Sequence, residues 1–124
     1  MKRTMLTTAL ALALCCAAPV RAQQVFKRVQ FPRGRTTAVL KGRTNSGGGV
    51  VYQLRARAGQ HLIAHLTSPK KDVKCQIHPA YAELLPGAMD VTDWEGDLPK
   101  DGEYDIPVFT NRGADTYTLE ITIR

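Results

Sequence analysis

Two stretches in the last quarter of the chain, 103–109 and 117–123, alternate apolar and polar residues with a period of two. Successive side chains of a β-strand point to opposite faces, so this period indicates two strands that each bury one face. The apolar set comprises Tyr104, Ile106, Val108, Tyr117, Leu119, Ile121 and Ile123. Pro99-Lys100-Asp101-Gly102 has the residue types of a tight turn and connects a short strand ending at Leu98 to the next one.

The same alternation runs through 50–58 and 61–66, on either side of Ala58-Gly59-Gln60. A short glycine-containing turn between two alternating runs is typical of a β-hairpin. The pattern therefore predicts two paired antiparallel strands here, with His61 and His65 on the face that carries Arg55 and Arg57.

The remaining segments have weaker strand patterns. We expect an edge strand or arm at 25–31, strands at 36–40, 72–78 and 89–98, a mobile loop at 45–49, and one or two helical turns at 80–85. Short strands at even spacing, with turns rich in glycine and proline and no long helical period, favour an all-β fold. The predicted architecture is a single antiparallel β-sandwich, jelly-roll-like, of about seven or eight strands.

The first residues have the features of a secretory signal peptide. Lys2 and Arg3 precede an apolar run at 6–18, and Val20-Arg21-Ala22 offers a cleavage site before Gln23. We therefore expect a signal peptide at 1–22 and one domain at 23–124, located in the periplasm or secreted. The apolar run is shorter than the roughly 20 residues that a membrane span needs, and no later segment approaches that length.

The cysteines bear on the same prediction. Lipidation at Cys15 or Cys16 is the alternative to cleavage before Gln23, but the residue before each cysteine is not the small one expected there. Removal of the leader leaves Cys75 as the sole cysteine, so no internal disulfide forms. Cys75 shares the alternating face of Val73 and Ile77, which predicts a buried thiol rather than a reactive one.

Charge is distributed unevenly along the chain. The whole sequence carries a net charge of +6, with an excess of lysine and arginine before Cys75 and of acids after it. One interpretation is a basic surface for an acidic partner. The other is that the two halves supply neighbouring strands whose exposed charges pair across the sheet. Nucleic-acid binding is not expected, because no aromatic platform accompanies the cations.

No motif specifies catalysis, a metal or a cofactor. A dense acidic group raises the alternatives of calcium binding and of glycosidase carboxylates, but its spacing does not match a calcium loop, and a solvated strand face is the preferred interpretation. The acids are Asp90, Asp93, Glu95, Asp97 and Asp101. His61 and His65 would lie roughly 13 Å apart on one strand, too far to share a zinc ion, so they are interpreted as surface histidines.

Four segments together resemble a known family: 52–62, 75–79, 94–104 and 117–121. They contain Tyr-x-Leu followed by Ala-Gly-Gln, then Leu-Pro-x-x-Gly-x-Tyr, then a second Tyr-x-Leu. This order is similar to that of bacterial pre-peptidase C-terminal-type sandwiches, and most of all to the periplasmic inhibitors of g-type lysozyme. The resemblance extends over 36–124 and implies a non-enzymatic protein whose partner is a lysozyme-type glycosidase.

The resemblance also implies a binding surface near the last hairpin, where arginines face the acidic cleft of the enzyme. Arg112 lies in that loop, and Asn111 and Phe109 are its expected companions. Two features depart from the family pattern: Pro107 stands where another arginine is expected, and the loop 111–115 is shorter.

A second function from a different class uses the cations instead. In this alternative the protein is an envelope-associated module that binds an anionic glycan or lipid head group through one basic face. That face would be formed by Lys41, Arg43, Arg55 and Arg57.

Overall fold

The structure is a computed structural model that describes residues 24–45 and 48–124. The expected signal peptide and lipidation sites lie outside the described residues, as do Ser46 and Gly47 of the expected mobile loop. Among the described residues, no helix is long and apolar enough to cross a membrane.

The described residues form nine β-strands and no helix. The strands are β1 (Val25–Arg28), β2 (Thr37–Asn45), β3 (Val50–Ala56), β4 (His61–Thr67), β5 (Val73–Cys75), β6 (His78–Pro79), β7 (Asp93–Asp97), β8 (Gly102–Thr110) and β9 (Ala114–Ile123). The predicted all-β sandwich is confirmed, with nine strands rather than seven or eight. The extra strand arises because the segment predicted as one strand at 72–78 divides into β5 and β6.

The strands form two sheets that pack face to face. Sheet A has the order β1-β3-β8-β5, with β6 also paired to β8, and sheet B has the order β2-β9-β4-β7. All pairings are antiparallel except that of β1 with β3, which is parallel. The arm predicted at 25–31 is thus an edge strand, as expected.

None of the nine strands of the described residues pairs with the strand next to it in the chain. Apart from β5 and β6, which both lie in sheet A, consecutive strands alternate between the two sheets. The predicted hairpin of 50–58 with 61–66 is therefore wrong, because β3 lies in sheet A and β4 in sheet B. For the same reason β8 and β9 do not form a hairpin, and the connection between them crosses from one sheet to the other.

The turn after β3 has a partner other than the predicted one. The amide of Gly59 donates to the carbonyl of Leu98 at 2.8 Å, and the amide of Leu98 donates to the carbonyl of Gln60 at 2.8 Å. Two cross-sheet connections therefore bond to each other at one end of the sandwich. The period-2 pattern predicts which side chains of β3 and β4 point inward. The same side chains point inward whether the two strands lie side by side in one sheet or face each other in two sheets, so the pattern does not distinguish these arrangements.

The core lies between the sheets and is formed by the alternating apolar residues. Its largest fully buried side chains include Leu54, Leu62, Ile77, Leu98, Tyr104, Ile106, Leu119 and Ile121. Cys75 is also fully buried, as predicted, and burial raises the pKa of its thiol to about 12. The thiol is therefore protonated at neutral pH and packs as a small apolar group.

Two tyrosines connect the sheets through the core. Tyr52 of sheet A and Tyr117 of sheet B place their hydroxyl oxygens 2.7 Å apart, with the rings edge to face at 6.4 Å between centroids. Each buried hydroxyl thereby has a hydrogen-bond partner, which avoids the cost of an unsatisfied polar group. Burial, and then the hydrogen bond with Tyr52, raise the pKa of Tyr117, so its phenol stays protonated at neutral pH.

The helical turns expected at 80–85 are absent, and this prediction is wrong. Tyr81 has a φ of 60° and is fully exposed, a left-handed backbone conformation that interrupts a right-handed helix. Leu85 instead donates its amide to the carbonyl of Ile77 at 2.9 Å and buries its side chain. Anchoring one leucine in the core takes precedence over local helix propensity here.

Gly42 is the position where the tyrosine contact restricts the sequence. A Cβ atom built on Gly42 would lie 2.5 Å from the hydroxyl oxygen of Tyr117 and 2.8 Å from its ring. We expect Gly42→Ala to lower the free energy of unfolding by about 1–3 kcal/mol, because the ring must move and break its bond with Tyr52. Urea unfolding measures the change.

Gly48→Ala is the matched control, since the nearest atom to an added Cβ there is 3.9 Å away. Its unfolding free energy is expected to change by less than about 0.5 kcal/mol. Equal destabilisation by the two substitutions would show that the tyrosine contact is not the cause.

Candidate functional site

Three of the cross-sheet connections meet at one end of the sandwich. They join β2 to β3, β4 to β5 and β8 to β9. The register places them together, because Asn45 is opposite Ala114, Val50 is opposite Val108, and Val73 is opposite Thr110. We call this part of the molecule the basic end, for the cations that it carries.

Six cationic side chains belong to the basic end, against two carboxylates. The cations are Lys41, Arg43, Lys70, Lys71, Lys74 and Arg112, and the carboxylates are Asp72 and Asp115. Within the described residues, none of the six cations lies within 4.0 Å of a carboxylate. The basic end therefore presents positive charge that the fold does not use for its own ion pairs.

Arg112 lies at the tip of the β8–β9 connection and is exposed. The hydroxyl of Thr110 fixes the backbone there: it accepts a hydrogen bond from the amide of Arg112 at 3.2 Å and donates one to its carbonyl at 3.1 Å. Gly113 then takes a φ of 56°, which allows the chain to turn into β9. The connection is short, and the backbone under Arg112 is held in place.

Asp115 holds a second connection against the first. Its buried carboxylate accepts hydrogen bonds from the amides of Lys70 at 3.1 Å and Thr116 at 2.9 Å. The ammonium group of Lys70 donates to the carbonyl of Ala114 at 3.1 Å. The loop that carries Lys70 and Lys71 is thus fastened beside the loop that carries Arg112.

The expected binding residues do not all lie in one place. Asn111 and Arg112 are exposed in the β8–β9 connection, whereas Phe109 is half-buried on the outer face of sheet A, opposite Lys74 of β5. Phe109 and Pro107 line a shallow depression of about 330 Å³ on that face. The structure therefore separates an arginine-bearing tip from an aromatic residue on the adjoining face.

The single basic face expected from four cations is wrong. Lys41 and Arg43 are on β2 of sheet B, while Arg55 is on β3 of sheet A. Arg57 follows β3 in the connection at the opposite end. Periodicity along one strand cannot reveal that two strands belong to different sheets. For that reason the sequence pattern predicted one shared face for the four residues.

Pairing of opposite charges across strands, the preferred interpretation of the uneven charge, is confirmed on sheet A. The guanidinium of Arg28 binds both carboxylate oxygens of Glu103, at 3.0 and 3.1 Å, and Arg55 lies 4.0 Å from the same carboxylate. These contacts join the basic first half of the chain to the acidic second half, whereas the basic end lacks them.

The outer face of sheet B carries a second set of pairs, between two histidines of β4 and the acids of β7. His61 contacts Asp97 and Glu95, each at 2.8 Å, and His65 contacts Asp93. The acids are exposed, as predicted, but they are paired with the histidines rather than only solvated. The pairing is cross-strand, so the sequence alone did not indicate it. In the described ranges no group of three or more potential ligands is placed to hold a metal ion.

Lys70, Lys71 and Lys74 belong to the basic end but were not among the predicted site residues. They lie in and after the β4–β5 connection, forty residues from Arg112 in sequence. Only the topology brings them together. The adjacent pair Lys70-Lys71 in a predicted loop was the one sequence signal that indicated them.

No protein-family model matches the sequence, and no curated protein matches it. Solved structures are similar, however. The periplasmic inhibitor of g-type lysozyme from Aeromonas hydrophila has a TM-score of 0.72 and 25% identity over 82% of this chain and 98% of that one. The corresponding inhibitor of Salmonella Typhimurium has a TM-score of 0.61 and 21% identity over 81% and 98%.

The pre-peptidase C-terminal domain of a Bacillus anthracis collagenase is also similar, with a TM-score of 0.53 and 15% identity over 82% of this chain and 95% of that domain. The chain therefore has the fold of pre-peptidase C-terminal-type sandwiches and of the g-type lysozyme inhibitors, as the sequence motifs implied.

The histidine pairs predict a pH-dependent stability. Hydrogen bonds with Asp97 and Glu95 raise the pKa of His61, and the bond with Asp93, with Glu120 nearby, raises the pKa of His65. Because both pKa values are higher in the folded chain, the contribution is complete below about pH 6.5 and is lost as the pH rises through the raised values. We expect a higher urea midpoint at pH 5.5 than at pH 8.5.

His61→Gln combined with His65→Gln is expected to remove most of that difference between the two pH values. His78→Gln is the control, since the ring of His78 contacts the carbonyl of Pro79 and no carboxylate. An unchanged difference in the double variant would contradict the assignment.

Proposed function

We propose that this protein is a periplasmic, non-enzymatic inhibitor of a g-type-lysozyme-like muramidase, and that it binds the enzyme through the basic end. The observation that carries the proposal is the convergence of three connections at an end with six cations, none of which lies within 4.0 Å of a carboxylate among the described residues. The fold shared with inhibitors of g-type lysozyme supports the choice of partner.

The chemistry of the enzyme class is complementary to this surface. Glycosidases commonly place carboxyl groups on both sides of the bond that they hydrolyse, so their clefts carry negative charge. A planar guanidinium donates two parallel hydrogen bonds to one carboxylate, which a lysine ammonium does not do. We assign this role to Arg112, with Asn111 beside it.

The lysines have a different role in the proposal. Lys70 and Lys71 are exposed to solvent, so their contribution is long-range attraction that accelerates encounter with an acidic cleft. Phe109, on the adjoining face of sheet A, supplies apolar contact area at the border of the interface.

The fixed backbone of the β8–β9 connection favours tight binding. Thr110 and Asp115 hold the loops that carry Arg112 and Lys70 before any partner arrives. Less conformational entropy is then lost on association, which raises affinity for a given set of contacts. This is also why a short connection remains compatible with inhibition.

The sandwich itself has no catalytic part in this proposal. Binding alone would stop turnover if the β8–β9 connection occupies the cleft and keeps substrate out. We do not propose an envelope module with a single basic face. The four residues predicted to form that face, Lys41, Arg43, Arg55 and Arg57, belong to two different sheets.

The test is inhibition of cell-wall lysis by the protein purified from the periplasm of an expressing bacterium. We expect it to slow goose-type lysozyme at micromolar concentration. Arg112→Ala should weaken inhibition about 30-fold or more, since loss of a hot-spot residue costs about 2 kcal/mol or more. Arg112→Lys should fall between the two, because lysine keeps the charge without the paired hydrogen bonds.

Arg124→Ala is the matched control. Arg124 follows β9 at the opposite end of the molecule from Arg112, and it bonds to His61 through backbone atoms only. Its inhibition constant is expected to equal that of the unaltered protein. If goose-, chicken- and invertebrate-type lysozymes all remain uninhibited at micromolar protein, the proposal fails.

A further inference from the structure

A depression on the sheet B side of the basic end has the composition of a ligand site. It is an open depression of about 530 Å³ on the outer face of sheet B, within the usual size range of small-ligand sites. One cation and four hydroxyl side chains line it: Lys41, Thr67, Ser68, Thr116 and Thr118. The register explains the grouping, because Thr118 is opposite both Lys41 and Thr67.

A second cation adjoins the depression. Arg43 is two residues from Lys41 on β2, so both side chains point outward from sheet B, roughly 6.6 Å apart along the strand. Arg43 is also opposite Thr116, one of the hydroxyl residues. Lys41 and Arg43 are both exposed, and neither lies within 4.0 Å of a described carboxylate.

The acidic groups of sheet B lie elsewhere on the same face. Glu120 is opposite His65, and Asp93, Glu95 and Asp97 are on β7, where they contact the histidines. No carboxylate lines the depression. Its charge is therefore positive, although the rest of the face carries paired charges.

We propose that this depression binds a phosphorylated saccharide. A phosphate monoester carries close to two negative charges at neutral pH, which two neighbouring cations match. Serine and threonine hydroxyls both donate and accept hydrogen bonds, so a row of four suits the hydroxyl groups of a sugar. A nucleic-acid strand fits less well, because the aromatic residue at the depression, Tyr117, keeps its ring buried against Tyr52 and offers no face for base stacking.

This site is separate in its chemistry from the one assigned to Arg112. The contact assigned to Arg112 is at the tip of the β8–β9 connection and takes a protein carboxylate. This site is on the outer face of sheet B, where Lys41 and Arg43 of the basic end take a small phosphate ester. A small soluble ligand measured without any lysozyme tests it alone, so its failure and the failure of inhibition are distinguishable.

The experiment is a titration of the ¹⁵N-labelled exported protein, followed by amide chemical shifts. Three probes are compared: trehalose 6-phosphate, trehalose and inorganic phosphate. We expect trehalose 6-phosphate to shift the amides of Lys41, Ser68, Thr116 and Thr118, and to bind at least about tenfold more tightly than either other probe, because only it satisfies both the cations and the hydroxyls.

Lys41→Gln and Arg43→Gln are each expected to weaken binding of trehalose 6-phosphate about tenfold, since each removes a charge-assisted contact. Arg57→Gln, an exposed arginine at the opposite end, is the control and should bind as the unaltered protein does. The proposal is overturned if inorganic phosphate binds equally well, if the shifts map elsewhere, if both substitutions leave binding unchanged, or if no probe binds at millimolar concentration.

Discussion

The inner faces of the two sheets are apolar over most of their length, and each sheet can bury that face only by covering the other. This constraint organises the molecule, because every strand except β5 is followed by one in the opposite sheet, and the chain passes from one sheet to the other at those connections. The connections must then gather at the two ends. The hydroxyl pair of Tyr52 and Tyr117 joins the layers between those ends and leaves no space for a side chain at Gly42.

The pairing of charges also differs between the faces of the sheets and the basic end. On the faces, where strands run side by side, opposite charges pair: Arg28 with Glu103 on sheet A, and His61 with Asp97 on sheet B. At the basic end the connections come from strands with an excess of lysine and arginine, and Asp115 there bonds to backbone amides instead of to the cations. Positive charge is therefore concentrated at the end of the sandwich where it is not paired within the fold. A surface for an anionic partner requires such unpaired cations.

The sequence predicted the fold class and the inward residues because both follow from local alternation, as at Tyr104, Ile106 and Val108. It could not predict that β3 and β4 lie in different sheets, since a period of two is satisfied by either arrangement. That same ambiguity made Lys41 and Arg55 seem to share a face. The position of Arg112 came from a resemblance of motifs, whereas the proximity of Lys70 depends on pairings between distant strands that no local pattern encodes.

The absence of any pairing between consecutive strands has a consequence for how this chain acquires its structure. The shortest separations between paired residues of the described strands still exceed twenty residues, as for Val25 with Val50 and Pro79 with Tyr104. Because the described strands form no hairpin, folding cannot begin with a short loop of low entropic cost. The chain must close long loops, and lose that conformational entropy, before the hydrogen bonds between strands form. Proteins dominated by such distant pairings fold in milliseconds to seconds, and newly made chains of this kind spend that interval with unpaired strand edges exposed to aggregation.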